Sequence, residues 1–272
     1  MVRNLTEGVK ETQVSLLLSS SLGCPHDYVL TLPDLQKIHS ADLLILNGAG
    51  MESFLSRLIQ TLPPALTLLD ASQAAGPLIA VEKGHECGDA HCEHDHSREA
   101  FNPHFTASPE ISASIALYLG KALAKADEKN AETYLNRSQN YAEKLKNLMN
   151  TMKAAADRFQ KNRIAAAHGS FDYLARDLHL TLAVTLDAHD LKSLPASEMI
   201  TLTQHLQKAD LLITEPQMES KTAETLSREA QIPLITLDPV MSGPEDAPLD
   251  YYEKAMLANI LSLEKHLQSS SK

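Results

Sequence analysis

The stretch that decides the fold is LLITEPQMESKTAETLSREAQIPLITLDP, residues 211–239. It begins and ends with short apolar runs, at 211–216 and 233–239, and residues 220–231 between them are predicted to form a helix. Short apolar runs bounded by turn residues are typical of buried parallel strands, and parallel strands need a crossover such as a helix. The stretch therefore predicts a parallel sheet flanked by helices, the α/β class.

The same alternation occurs on both sides of this stretch. In the first part of the chain, strands are predicted at 13–18, 41–48 and 65–71, and helices at 31–40 and 50–62. In the second part, strands are predicted at 162–171 and 180–188, and helices at 171–178, 195–210 and 250–267. The late sequence KADLLITEPQ also echoes the early sequence SADLLILNGA. We therefore predict two βα lobes of like design.

A long helix is predicted between the two lobes. Residues 130–160 contain neither Gly nor Pro, and at 1.5 Å per residue they would span roughly 45 Å. Their apolar side chains recur at helical spacing, at Tyr134, Tyr141, Leu145, Leu148 and Met152. A shorter helix precedes this one at 108–127, with Ser108 as its N-cap and Pro109 in its first turn. We therefore predict an N-terminal lobe at 1–127, a linking backbone helix at 128–160 and a C-terminal lobe at 161–272.

Composition excludes several classes of function. The net charge is −11 and no basic stripe is present, so a nucleic acid is not an expected partner. No apolar stretch reaches the ~20 residues that a membrane span needs. Three cysteines do not make a disulfide framework. The first residues lack the pattern of a signal peptide, so we expect either a cytosolic chain or a sequence without its leader.

Histidines gather in GHECGDAHCEHDHSREAFNPHF, residues 84–105. The part at 84–98 offers nothing from which to build a core, so we predict a loop there with weak, unselective affinity for metals. A polar loop without any role is the alternative. The expected auxiliary ligands are His85, His91, His94 and His96.

Four less conspicuous residues lie next to predicted strands and helices. His26 follows the first predicted strand, His104 precedes a helix, and His168 and Asp238 each end a strand. Ligands of α/β sheets bind outside the carboxyl ends of the strands, and imidazoles with a carboxylate are typical zinc ligands. These four residues therefore predict a metal site. Taken singly, His168 could be a half-buried structural histidine and Asp238 a helix cap.

Several segments resemble the zinc- and manganese-type metal-binding receptors of ABC transporters. PHDYVLTLPDLQKIHSADLLILNGAGMESFLSRL, residues 25–58, is similar to one signature of that family. NPHFTASPEIS (102–112), AAHGSFDYLARDLHL (166–180) and the stretch from EPQ to LDP (215–239) match further signatures in the same order. Asn102 stands where the family usually has Asp. The resemblance covers nearly the whole chain.

The resemblance implies a metal site between two lobes that a rigid helix bridges. The implied ligands are His26, His104, His168 and Asp238, and a histidine at position 168 favours zinc(II), with manganese(II) as the second choice. The implied function is capture of zinc by a monomer and its delivery to the membrane subunit of an ABC permease, without catalysis.

The resemblance also implies a periplasmic or cell-surface location. Members of the family begin with a leader, followed by a strand and a helix. We expect this sequence to lack the leader and that first strand, which would leave an exposed edge in the first sheet. Two alternatives remain at this point. One is a surface adhesin or zinc buffer that uses the histidine-rich loop, and the other is a metal-dependent hydrolase.

Overall fold

A computed structural model describes residues 1–19, 28–56, 58–81, 101–186, 196–218 and 221–268. Within these ranges the strands form two parallel sheets, one with the order β1-β2 and one with the order β4-β3-β5-β6. The strands are β1 (Leu43–Leu46), β2 (Thr67–Asp70), β3 (Arg163–Ala166), β4 (Thr181–Thr185), β5 (Leu211–Thr214) and β6 (Leu234–Thr236). The predicted α/β class, with parallel sheets and helices that flank them, is confirmed.

Helices alternate with the strands of the second sheet, from β3 to β6, and the remaining helices lie before β1, between β2 and β3, and after β6. The helices are α1 (Val2–Thr6), α2 (Leu32–Ser40), α3 (Pro109–Ala126), α4 (Ala131–Ala156), α5 (Asp172–Asp177), α6 (Ala196–Leu206), α7 (Lys221–Ala230) and α8 (Tyr251–Leu267). None of the helices in the described ranges combines the length and the hydropathy that crossing a membrane requires.

The predicted long helix is α4, whose 26 residues span about 39 Å. The five apolar residues that predicted it are all buried. They join a core to which α1, α3, α8 and the strands β3, β5 and β6 also contribute side chains. One continuous core therefore runs through both halves of the chain, and the lobe boundaries at 127 and 160 stay a prediction.

Helices α3 and α4 approach each other closely at Gly120. A Cβ atom added to Gly120 would lie 2.1 Å from Oγ and 2.3 Å from Cβ of Ser138, and 3.2 Å from the carbonyl oxygen of Tyr134. The absence of a side chain at Gly120 is therefore what lets the two helices pack at this distance.

The start of α3 is fixed as predicted, because Ser108 Oγ accepts a hydrogen bond of 3.2 Å from the backbone N–H of Ile111.

We predict that Gly120→Ala destabilises the fold by about 1–3 kcal/mol, the usual effect of an extra methyl group in a packed interface. Alanine favours a helix over glycine by about 1 kcal/mol. The cost of the overlap with Ser138 is therefore larger than the net loss of stability by about that amount. The free energy of unfolding in urea is the measurement. Ser114→Ala, at an exposed position of the same helix, is the control. Equal or greater stability of Gly120→Ala would contradict this packing.

The strand predicted at 13–18 is wrong, because these residues form no ladder with any strand of the described ranges. The side chain of Leu16 is 54% exposed. Nζ of Lys37, on α2, donates to the carbonyl oxygens of Leu16 and Leu17 at 3.1 and 3.2 Å. A side chain of a neighbouring helix therefore binds carbonyl oxygens that a strand partner would bind, and the apolar run QVSLLL is not a strand.

The helix predicted at 50–62 is also wrong, because two 3-10 turns, Ser53–Leu55 and Ile59–Thr61, lie there instead. Successive backbone bonds in this segment join residues three apart, as in Leu55 N–H to the Glu52 carbonyl at 2.9 Å. The tight turns bury Met51 and Leu55 just as a regular helix would. Apolar spacing alone does not distinguish the two structures.

Candidate metal centre

His104 lies where the chain enters the 3-10 turn Phe105–Ala107 before α3, and it is 5% exposed. Oδ1 of Asn102 accepts a hydrogen bond of 2.9 Å from the backbone N–H of His104 and lies 2.9 Å from its Nδ1. An amide oxygen only accepts, so Nδ1 carries the proton of the neutral ring. The lone pair, which a metal requires, is then on Nε2.

His168 follows β3, and Glu215 follows the neighbouring strand β5. Nδ1 of His168 lies 3.0 Å from Oε1 of Glu215. Glu215 is 4% exposed and also accepts hydrogen bonds from Ser170 Oγ and Gln217 Nε2. The carboxylate therefore holds the proton of His168 on Nδ1 and orients the ring, as outer partners of metal-binding histidines commonly do.

The two imidazoles lie together. Their ring centroids are 4.6 Å apart, and the ring planes make an angle of 80°. His104 comes from the segment before α3 and His168 from the carboxyl end of β3, so the fold joins two residues that are 64 positions apart in sequence. The structure thus brings together two of the four predicted ligands, both with Nδ1 at an oxygen atom.

Asp238 follows β6, at the same end of the sheet as His168. Its Oδ1 accepts a hydrogen bond of 2.7 Å from the backbone N–H of Val240, and its Oδ2 accepts one of 2.9 Å from the Tyr251 hydroxyl. Within the described ranges, no three His, Cys, Asp or Glu side chains are grouped so that they could hold a metal ion. The structure therefore does not join Asp238 to the histidine pair.

The remaining predicted ligands lie outside the described residues. These are His26 and the auxiliary residues of the histidine-rich loop, His85, His91, His94 and His96.

The two segments that flank residues 82–100 meet beside His104. Ala80 and Phe101 form an antiparallel bridge, and the backbone N–H of Asn102 donates to the Ile79 carbonyl at 2.8 Å. The Tyr173 hydroxyl accepts from the Ile79 N–H at 2.9 Å and donates to the Asn102 carbonyl at 2.7 Å. We call these contacts the Tyr173 clasp.

Asn102 also connects the histidine pair to α5. Its Nδ2 donates to the Gly169 carbonyl at 2.7 Å and to Oδ2 of Asp172 at 2.8 Å. Burial raises the pKa of the Asp172 carboxyl, and the hydrogen bond from Asn102 and the nearby His168 offset part of that rise. An amide at position 102 can accept from His104 and donate to Asp172 at once, whereas a carboxylate there would face a second carboxylate.

The loop after β1 is fastened to the His104 segment. Nδ2 of Asn47 donates to the Pro103 carbonyl at 2.9 Å, and the Glu52 carboxylate accepts the backbone N–H groups of Asn47 and Gly48 at 2.8 and 3.0 Å. Gly48 has a φ of +85°, and a Cβ atom there would lie 1.8 Å from Oδ1 of Asp70. This loop therefore needs glycine for both its conformation and its close approach to β2.

Sequence reasoning missed the role of Glu215. The signal was present, because Glu215 follows the apolar strand LLIT as Asp238 follows LITL. At Asn102 the sequence shows only a departure from a family pattern. Both residues form hydrogen bonds to a histidine, and the contact of Glu215 with His168 becomes visible only when β5 is known to lie next to β3.

A cavity of about 420 Å³ lies beside Asp238, between the second sheet and α8. It is lined by Pro216, Thr236, Asp238, Tyr251, Lys254, Ala255, Ala258 and Asn259.

Comparisons with known proteins match nearly the whole chain. The profile of the ZnuA family, described as zinc-uptake complex component A, periplasmic, matches residues 1–266. The zinc-binding protein AdcA of Streptococcus pyogenes serotype M6 is 29% identical over 256 residues, which cover 88% of this chain and 48% of AdcA. The chain therefore spans about half the length of this relative.

Solved structures share the fold over almost the full length. The SBP FpvC of Pseudomonas aeruginosa in complex with Ni²⁺ has a TM-score of 0.77 and 23% identity, and the match covers 98% of this chain and 92% of FpvC. A zinc-bound deletion mutant of ZnuA has a TM-score of 0.75 and 19% identity, with 99% of this chain and 95% of the other covered. At these identities the likeness concerns the fold.

Proposed function

This chain belongs to the ZnuA family of periplasmic zinc-uptake components, and we propose that it captures zinc(II) and delivers it to the membrane subunit of an ABC permease. The observation that carries the proposal is the pair His104 and His168, whose rings lie 4.6 Å apart. An oxygen acceptor at each Nδ1 leaves the lone pair of each neutral ring on Nε2. This is the tautomer that an imidazole needs to bind a metal through Nε2.

We propose that His26 and Asp238 complete the ligand set. Three imidazoles and one carboxylate suit the tetrahedral coordination that zinc prefers, whereas manganese prefers sites richer in oxygen. AdcA is named as a zinc-binding protein, which supports zinc(II) as the proposed cargo. The FpvC structure contains Ni²⁺, so a protein of this fold also holds another divalent metal, and manganese(II) stays the second choice. The auxiliary role of the histidine-rich loop stays a proposal.

The family supports the proposed partner and location. Its model describes a periplasmic component of a zinc-uptake complex, so we propose the periplasm or the cell surface as the location and the membrane subunit of an ABC permease as the partner. A nucleic acid is not a proposed partner, since the net charge is −11, and we propose that the protein acts as a monomer. The family is one of transport components and not of enzymes. It therefore favours neither the hydrolase nor the adhesin or buffer.

We predict that the full chain binds one zinc ion tightly and that deletion of residues 84–98 leaves this tight site intact. The physical reason is that the proposed ligands lie outside the deleted segment, while a polar loop binds metal weakly because closing it costs conformational entropy. Competition titration against a chromophoric zinc chelator measures both the stoichiometry and the affinity. The weak, additional zinc equivalents are expected to disappear with the deletion.

The matched control keeps the length of the loop and replaces only its histidines. In this variant His85, His91, His94 and His96 are each changed to Gln. It is expected to behave as the deletion does. Loss of the tight zinc ion in both variants would contradict the receptor proposal and favour the adhesin or buffer.

A further inference from the structure

We propose that Tyr251 and Tyr252, the first two residues of α8, are positioning residues that fix two metal ligands relative to each other. Tyr251 holds Asp238, and Tyr252 holds the turn that follows His104. This inference rests on the proposed function, because it takes Asp238 and His104 to be ligands of zinc.

Tyr251 fixes the carboxylate of Asp238 from one side. Its hydroxyl donates to Oδ2 at 2.9 Å, while the backbone N–H of Val240 donates to Oδ1 at 2.7 Å. Each carboxylate oxygen thus has one donor and keeps a lone pair that can bind a metal ion.

The backbone around Asp238 is held to α8 as well. Asn259, two turns further along this helix, accepts from the Asp238 N–H at 2.9 Å and donates to the Asp238 carbonyl at 2.7 Å. Residues of one helix, α8, therefore hold both the main chain and the carboxylate of Asp238 by hydrogen bonds.

Tyr252 reaches a different segment. Its hydroxyl donates to the carbonyl oxygen of Thr106 at 2.8 Å. Thr106 lies in the 3-10 turn that follows His104, where the Ala107 N–H donates to the His104 carbonyl at 3.2 Å. Thr106 Oγ1 also donates to Sδ of Met241, in the loop after Asp238, at 3.4 Å.

The two tyrosines can serve two segments because consecutive helical residues point about 100° apart. Their hydroxyls meet Asp238, from the second sheet, and Thr106, from the segment before α3. The start of α8 therefore sets the position of the Asp238 carboxylate relative to the His104 segment. Metal ligands that come from separate parts of a chain keep their geometry only when the same rigid element supports them.

The test is a double-mutant cycle on zinc affinity. Tyr251→Phe keeps the ring and removes only the hydroxyl, and we expect it to weaken zinc binding about 10-fold in the full chain, as loss of an outer partner of a ligand does. In an Asp238→Ala background the same change is expected to have less than about a 2-fold effect, since its target is gone. Tyr252→Phe is expected to weaken binding about 10-fold in the full chain and less than about 2-fold in a His104→Ala background.

Two controls separate positioning from general destabilisation. Tyr118→Phe, on α3, removes a hydroxyl whose contact with Gln73 Oε1 is long, at 3.4 Å, and is expected to leave zinc affinity unchanged. Thermal unfolding of every variant reports whether the fold is intact, and a merely structural effect would persist in the Asp238→Ala background.

Equal effects of Tyr251→Phe in both backgrounds, or no effect in either, would overturn the inference and leave the proposed function standing. Full zinc affinity of Asp238→Ala would overturn the inference too. Zinc binding by His104→Ala and His168→Ala as tight as that of the unchanged chain would overturn the proposed function itself.

Discussion

Replacement of His168 by alanine is expected to weaken zinc binding by more than about 100-fold, the upper end of what loss of an outer partner alone costs. The reason is that the change removes a proposed ligand, together with the Nδ1 contact to Glu215 at 3.0 Å. His104→Ala is expected to have an effect of the same order, because the two rings lie together, with centroids 4.6 Å apart. Competition titration against a chelator measures the dissociation constant, and elemental analysis reports the metal retained on purification.

His205→Ala is the matched control for this experiment. His205 is an exposed histidine on α6, so the same substitution there tests whether the loss of any imidazole weakens zinc binding. Zinc should raise the unfolding temperature of the control and of the unchanged chain, because a ligand that binds only the folded state stabilises it. It should not do so for His168→Ala. A His168→Ala variant with unchanged affinity would show that zinc binds elsewhere.

The second large effect is expected at Glu215. Glu215→Ala should weaken zinc binding about 10- to 100-fold, since the outer partner that orients His168 is lost. It should also lower the free energy of unfolding by about 1–3 kcal/mol, because the buried hydroxyl of Ser170 loses its acceptor. Nδ1 of His168 and Nε2 of Gln217 lose the carboxylate too, but they are only partly buried and are expected to add less.

Glu215→Gln separates the two consequences. The amide keeps the shape and one accepting oxygen but has no charge, so it is expected to retain most of the stability and to lose part of the zinc affinity. Glu229→Gln, on the exposed face of α7, is the control for the change of charge alone. Zinc affinity and urea unfolding are measured on all three variants. If neither change at Glu215 alters zinc affinity, the carboxylate does not orient a ligand.

The parts of the fold that could be predicted are those whose signal is local. The apolar runs of β3, β5 and β6 and the uninterrupted helix α4 bury the side chains that predicted them. His104 and His168 were predicted to share a site because ligands gather at the carboxyl ends of parallel strands, and the structure places their rings together.

The rest depends on contacts between distant residues. Residues 13–18 have the composition of a strand, but Lys37 occupies the carbonyl oxygens that a neighbouring strand would bind. Residues 50–62 have the apolar spacing of a helix. The Glu52 carboxylate, however, accepts a hydrogen bond from the backbone N–H of Asn47 in the loop before it, and the chain continues in 3-10 turns. The partnership of Glu215 with His168 requires that β5 lies next to β3, and nothing local states the strand order.

The Tyr173 clasp has a consequence for how this protein can change. It joins the backbone at Ile79 and Asn102, so any segment between them starts and finishes at points already held together. Doubling the length of such a segment costs only about 0.6 kcal/mol of closure entropy. The length of that segment can therefore change at little cost to the fold. Such changes are separated from the position of His104, because the backbone on both sides of the segment stays joined.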